Sequence, residues 1–216
     1  MPVNNFKLPA NLFNFATYKN NFLLMVDFLK RYVDSYAALS DEEFEYLTSK
    51  VETRNFNKKH KIISIGDTER YLNLIVTGLV RKYFLKGREE LITQIAKEND
   101  LINSSVSFLD GSPSTYVVET IEPTVLLSIS LDNLEELYSK SHKMEHIGRL
   151  IVTNLFLQKE EWDHERMRLN TRDRFVHFIK NNSDLLQRVP QKYLASYLNI
   201  KPETFSRLKH LLQKKR

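Results

Sequence analysis

Three residues close to the C-terminal end carry groups suited to one kind of chemistry. Glu203, Ser206 and Arg207 stand at i, i+3 and i+4. A helix starting at Pro202 therefore sets an acid, a hydroxyl and a guanidinium on one face of its first turns. A carboxylate accepts from a cytosine amino group, a guanidinium donates two parallel hydrogen bonds to guanine O6 and N7, and a hydroxyl serves either purpose. Around them lie Arg188, Gln191, Lys201, Thr204, Lys209, His210 and Lys214. These suit phosphates and flanking positions, contacts that fix register without reading sequence.

Charge points the same way. Residues 201–216 hold six basic groups and one acid, which equals the +5 net charge of the whole chain, so residues 1–200 balance to zero. A neutral body with one basic end suits a polyanion; a solvated basic helix is the other reading.

Other chemistries find little material. The chain has no cysteine, which excludes disulfides, thiolate zinc sites and cysteine-ligated iron–sulfur clusters. His142 and His146 stand at i, i+4, but a pair with no third ligand is expected to be solvated surface rather than a metal site. Haem ligation by one of the six histidines stays open, with none singled out. A P-loop, G-x-S-x-G and H-E-x-x-H are absent, and five glycines leave little for a phosphate-cradling loop. No enzyme, metal or cofactor is expected.

Presenting the triad requires two helices and a tight turn. In VPQKYLASYLNIKPETFSRLKHLL (189–212), a helix over 190–198 buries Leu194 and Tyr197 or Leu198, with small Ala195 where helices cross. Asn199-Ile200-Lys201 makes the turn, Ile200 plugs the gap, and Pro202 suits a first helical turn. Phe205, Leu208, Leu211 and Leu212 face inward. An ordinary helical hairpin fits the same pattern.

Upstream, residues 1–17 read as a loose arm and 18–36 as a helix with a Phe22, Val26, Leu29, Val33 stripe. Ser40-Asp41-Glu42-Glu43 forms a capping box for a helix whose apolar face is Phe44 and Leu47. Residues 51–130 turn to β, with runs at 62–63, 71–76, 79–85, 91–95, 116–121 and 125–129 and a short helix at 103–109. The rest reads helical: 131–139, a long helix 143–169, and 171–182. The long helix carries Met144, Ile147, Ile151, Leu155 and Trp162 as a stripe for a second helix, a coiled-coil dimer interface; packing on its own domain is the alternative. The N-terminal stretch shows no signal peptide and no membrane span, so a cytoplasmic protein is expected.

The chain resembles the catabolite-activator/fumarate-nitrate-regulator (CRP/FNR) superfamily over residues 40–214. The similarity rests on Gln191–Leu198 followed by Lys201–Arg207, with its E-x-x-S-R pattern, and on Tyr71–Gly78 leading to Asn99-Asp100-Leu101-Ile102. The resemblance implies an α+β fold: N-terminal helices, an antiparallel cyclic-nucleotide-binding-like β-roll of jelly-roll type, a long dimerisation helix and a C-terminal helix-turn-helix. The boundaries expected are 1–36 for arm and helix, 37–142 for the roll, 143–169 for the dimerisation helix and 170–216 for the DNA-binding domain. It also implies base-reading roles for Glu203, Ser206 and Arg207, with a TGA-like half-site core. The resemblance implies that residues 1–24 extend beyond the usual family start, with Met25 an alternative one, and that the β-hairpin wing of many relatives is expected to be missing after the last helix.

The chain departs from cyclic-nucleotide binders at the phosphate pocket. The family's F-G-E turn and its Arg followed by Ser or Thr correspond to Asn103, Ser104, Ser114 and Thr115, so the glycine, carboxylate and guanidinium are missing. No basic residue lies between Lys97 and Lys140, and none nearby is expected to replace the lost charge. A transcription regulator with an unknown effector, not cAMP, is therefore expected. Its partners would be double-stranded DNA, a second copy of the chain and, as a candidate, RNA polymerase, with no membrane. The alternative is a signalling module whose roll binds a non-nucleotide small molecule or a protein, with little DNA binding.

Overall fold

A computed structural model describes residues 21–213 of the 216. The expected N-terminal arm and Lys214, Lys215 and Arg216 lie outside the described residues. The chain divides into two compact units, residues 21–83 with 95–154 and residues 84–94 with 155–213.

The first unit opens with helix α1 (Phe22–Asp34), whose start is capped by the Asn21 side chain accepting from the Leu24 N–H. Helix α2 (Asp41–Lys50) begins with the expected capping box: the Ser40 hydroxyl accepts from the Glu43 N–H and the Glu43 carboxylate accepts from the Ser40 N–H. The strands are β1 (Glu52–Phe56), β2 (Lys61–Ile63), β3 (Tyr71–Thr77), β4 (Val80–Lys86), β5 (Glu89–Ala96), β6 (Leu101–Ile102), β7 (Val117–Thr120) and β8 (Thr124–Ser130). They form two four-stranded sheets, ordered β1-β8-β3-β6 and β2-β7-β4-β5. Short helix α3 (Ser105–Asp110) is inserted after β6.

The two-residue side-chain period divides each strand between two environments. On β3, Ile75 lies between the sheets with Ile63, Val80, Ala96, Ile102, Val118 and Leu126. Leu74 and Val76 point the other way, into a core shared with Phe28, Leu29 and Val33 of α1. That second core also takes Leu137 from helix α4 (Leu131–Lys140) and Met144 and Ile147 from helix α5 (His142–Arg168). Each such fully buried side chain contributes about 1.5–3 kcal/mol relative to exposure. The β3–β4 turn needs a glycine: Gly78 has φ +108°, and a Cβ there would meet Thr124 Oγ1 at 2.5 Å and the Pro123 carbonyl at 2.6 Å. Phe44 and Leu47 pack against the helix-covered core as expected.

Two expectations need correction. The α1 core face is Met25, Phe28, Leu29 and Val33, while Phe22 stands 72% exposed; the helix starts only at Phe22, so that residue ends the stripe instead of anchoring it. Strand β1 is Glu-Thr-Arg-Asn-Phe, too polar for a hydrophobic pattern to reveal, yet it pairs with β8 over its whole length.

In the second unit the end of α5 is followed by α6 (Thr171–Asn181), α7 (Leu185–Arg188), α8 (Gln191–Tyr197) and α9 (Pro202–Gln213). The tip of the β4–β5 hairpin, residues 84–94, belongs to this unit. Among the described residues no helix is long and apolar enough to cross a membrane.

Candidate functional site

Helices α6, α8 and α9 share a small core in which Phe175, Leu194, Ala195, Leu198 and Phe205 are almost wholly buried. The rings of Phe175 and Phe205 meet edge to face, 5.1 Å between centroids. Ala195 is fully buried and its carbonyl accepts from the Ile200 N–H at 3.0 Å, the bond that a left-handed residue makes at a helix end. Asn199 turns the chain with φ +52°, a left-handed conformation that asparagine tolerates better than most residues. Ile200 is half-buried and Lys201 exposed. The helix-turn-helix residues thus sit where their types require.

Burial of Phe205 and Leu208 fixes which side of α9 faces water. Glu203 and Arg207 are exposed, Ser206 and Thr204 half-buried, so the acid, hydroxyl and guanidinium share the outward side of the first two turns. Gln191 and His210 are exposed, and Arg188 and Lys209 half-buried. Lys214 and the side chains of Leu211 and Leu212 lie outside the described residues.

Hairpin residues 84–94 are held by α8. The Ser196 hydroxyl donates to the Glu90 carbonyl at 2.8 Å and accepts from the Ile92 N–H at 3.1 Å, as a neighbouring strand would.

In the roll, the residues aligned with a phosphate pocket form a closed polar cluster. Asn103, Ser104 and Ser114 are buried, and only Thr115 is exposed. The Ser104 and Ser114 hydroxyls are 2.8 Å apart, and Ser114 accepts from the Tyr116 N–H. A buried carboxylate from outside the expected segment, Glu69, accepts from the Tyr71 N–H at 3.1 Å and the Ser104 N–H at 3.4 Å. Burial pushes its pKa up, partly offset by the backbone N–H groups it accepts from and by Arg54. The expectation that no cation stands nearby is overturned: Lys82 on β4 donates to the Asn103 carbonyl at 3.2 Å and lies over the Tyr116 ring. Strand pairing, not sequence proximity, delivers it, because Lys82 is paired with Val118 across from β7.

The dimer stripe also needs correction. Met144 and Ile147 are buried in the core of their own unit, Ile151 packs against that core, and Trp162 stacks on Tyr197 of α8. What α5 leaves open is Val152, Leu155, Phe156, Leu157 and, near its end, Met167. The sequence pattern could not separate these faces, because apolar residues occur on more than one side of the helix.

His142 and His146 are exposed, next to Glu145 and Arg149 respectively. No group of three or more metal-ligating side chains occurs among the described residues.

Residues 53–141 match the cyclic nucleotide-binding domain family. No curated protein matches the chain by sequence. Among solved structures it is similar to the c-di-GMP-responsive global regulator CLP of Xanthomonas campestris, at 18% identity over 82% of this chain and 93% of that one, TM-score 0.62. FixK2 of Bradyrhizobium japonicum is similar at 17% identity over 76% and 85%, TM-score 0.64. A mutant CooA of Carboxydothermus hydrogenoformans is similar at 14% identity over 78% and 79%, TM-score 0.62. The β-roll is therefore similar to cyclic nucleotide-binding domains. The α+β chain, with its long helix and C-terminal helices, shares the fold of these solved structures.

Proposed function

We propose that this protein is a DNA-binding transcription regulator of the CRP/FNR type, not an enzyme, and that it does not respond to cAMP. One observation carries the reading: Glu203, Ser206 and Arg207 face outward together on the first turns of α9, while Phe205 and Leu208 on its other side are buried. A recognition helix enters the major groove with its N-terminal residues, and an acid, a hydroxyl and a guanidinium there can read base edges. Lys201 and Lys209 supply phosphate contacts.

The working form is a homodimer joined along the open α5 stripe of Val152, Leu155 and Phe156, with two recognition helices about 34 Å apart on a pseudo-palindromic operator. In the roll, chemistry speaks against cAMP. A cyclic phosphate needs a cation and backbone N–H groups turned toward it, whereas here Lys82 already donates to the Asn103 carbonyl, the Ser104 N–H meets Glu69, and Ser104 and Ser114 bond each other. RNA polymerase is a further partner on this reading.

In vitro selection of bound DNA with wild type beside Arg207→Ala tests the proposal. Loss of a bidentate guanine contact costs about 1–3 kcal/mol and relaxes one base position. Identical selectivity in both proteins would remove Arg207 from readout.

A further inference from the structure

Arg174 stands in the first turns of α6, the end of a helix where a cation is least favoured. Its guanidinium is turned away from α6 and toward the C-terminal ends of two other helices. Nε donates to the Leu198 carbonyl at 3.2 Å, and Nη1 donates to the carbonyls of Arg166 at 3.2 Å and Leu169 at 3.3 Å. Arg166 and Leu169 bracket the end of α5; Leu198 is the C-cap of α8 and the last residue before the left-handed Asn199.

Terminal carbonyls have no partner inside their own helix, and a planar fork of N–H donors can serve several at once, which a lysine ammonium does not do in fixed directions. One side chain thus caps the long helix and the first helix of the helix-turn-helix together. Trp162 of α5 and Tyr197 of α8 stack between the same two helices, centroids 4.7 Å apart, and Trp162 is the sole tryptophan of the chain.

Resting on the DNA-binding reading above, we infer that Arg174 is a positioning residue for DNA recognition. It fixes the direction in which α9 leaves the end of α5 and does not itself touch DNA. In a dimer that direction sets the distance between the two recognition helices, so Arg174 governs which half-site spacing is preferred.

The test uses the full chain as wild type, Arg174→Lys and Arg174→Gln, with Arg172→Gln, an exposed neighbour, as control. Each is measured for thermal unfolding, acrylamide quenching of Trp162, and affinity for selected operators whose half-sites are separated by one base pair more or less. Both Arg174 variants are expected to fold, to show a more quenchable Trp162, to lose about tenfold or more at the wild-type spacing, and to discriminate less between spacings. Arg172→Gln keeps the wild-type spacing preference. The salt dependence also separates the roles: a phosphate contact would lower the slope of log K against log salt by about 0.9, whereas a positioning residue leaves the slope unchanged.

Folded Arg174→Lys with wild-type affinity, spacing preference and quenching overturns the inference, as does a lowered salt slope in Arg174→Gln. If Arg174→Gln does not fold, Arg174→Lys, which keeps the charge, carries the comparison alone; if neither folds, Arg174 is a stability residue and the inference fails. Wild type that binds no DNA sinks the underlying reading instead, and Trp162 quenching then still decides whether Arg174 joins the two helices.

Discussion

Trp162 and Tyr197 lie face to face, their rings 5° from parallel and 4.7 Å apart. Phe178 adds its edge to Tyr197 at 5.7 Å. The end of the long helix is therefore bonded to the helix-turn-helix by an aromatic cluster, and the one tryptophan is used within the chain. Aromatic pairs contribute about 0.5–1.5 kcal/mol beyond the area they bury. Trp162→Leu should accordingly lower the unfolding temperature of the second unit and weaken operator binding. Calorimetric scans superimposable on wild type would mean the stack contributes nothing.

The open face of α5 gives a prediction about assembly. Phe156 is 60% exposed and Val152 63%, apolar groups at i and i+4 on a helix that has already buried Met144 and Ile147. Phe156→Glu should leave the fold intact and shift the chain to monomer, read by light scattering coupled to gel filtration, with a loss of affinity for two-half-site DNA. Met144→Ala should instead cost about 2–5 kcal/mol of stability and leave the mass of folded protein unchanged. Equal masses for Phe156→Glu and wild type would move the interface elsewhere.

The roll should reject cAMP. A charge-assisted hydrogen bond is worth about 1.5–3 kcal/mol, and Lys82 is already bonded to the Asn103 carbonyl. Isothermal calorimetry should show no heat at micromolar cAMP for wild type or Lys82→Gln. Micromolar binding that Lys82→Gln abolishes would show instead that this lysine has taken over the role of the missing arginine.

Glu136 on α4 supplies a pH dependence. The Lys50 ammonium at 2.6 Å, the Tyr46 hydroxyl and the Lys140 ammonium hold its pKa down to about 2. A folded value below the unfolded one gives stability that is complete above the ordinary carboxylate range and is lost as pH falls through about 2. Glu136→Gln should thus melt below wild type at pH 7, and the gap should narrow from about pH 4.5 downward. A gap that stays constant to pH 2 would assign the effect to packing.

At Gly78 the prediction is steric. Alanine there combines a positive φ with contacts under 3 Å to Thr124 and the Pro123 carbonyl. Backbone strain of this kind costs about 1–3 kcal/mol, so Gly78→Ala should unfold at a clearly lower denaturant concentration. Gly87 has φ +64° but no atom within 4 Å of the place a Cβ would take, and it should tolerate alanine better. Equal midpoints for the two variants would rule out crowding by Thr124 as the cause.

How far the sequence reveals this molecule depends on the range of the interactions involved. The turn at Asn199, Pro202 at the start of α9 and the buried Phe205 are local signals, and they give the outward face of Glu203, Ser206 and Arg207 directly. The capping box at Ser40 and the strand–Gly–strand around Gly78 are local too. Lys82 beside Asn103, Glu69 on the Ser104 amide and Arg174 on the Leu198 carbonyl come from chain segments that meet only after folding, and nothing in their spacing announces it. On α5 the periodicity identified a helix, but burial by α1 and the sheet, not periodicity, decided which apolar residues were left for a partner.

The grip of Ser196 on residues 90 and 92 has a consequence for modularity. The C-terminal unit is assembled from two separated stretches of chain, so no single peptide cleavage releases it whole. A fragment starting at Leu155 would leave one of its packed pieces behind, and grafting such a tail onto another protein would transplant an incomplete body. Shuffling among proteins built this way should favour exchange of entire chains, or of surface residues on α9 alone, over exchange at Leu155.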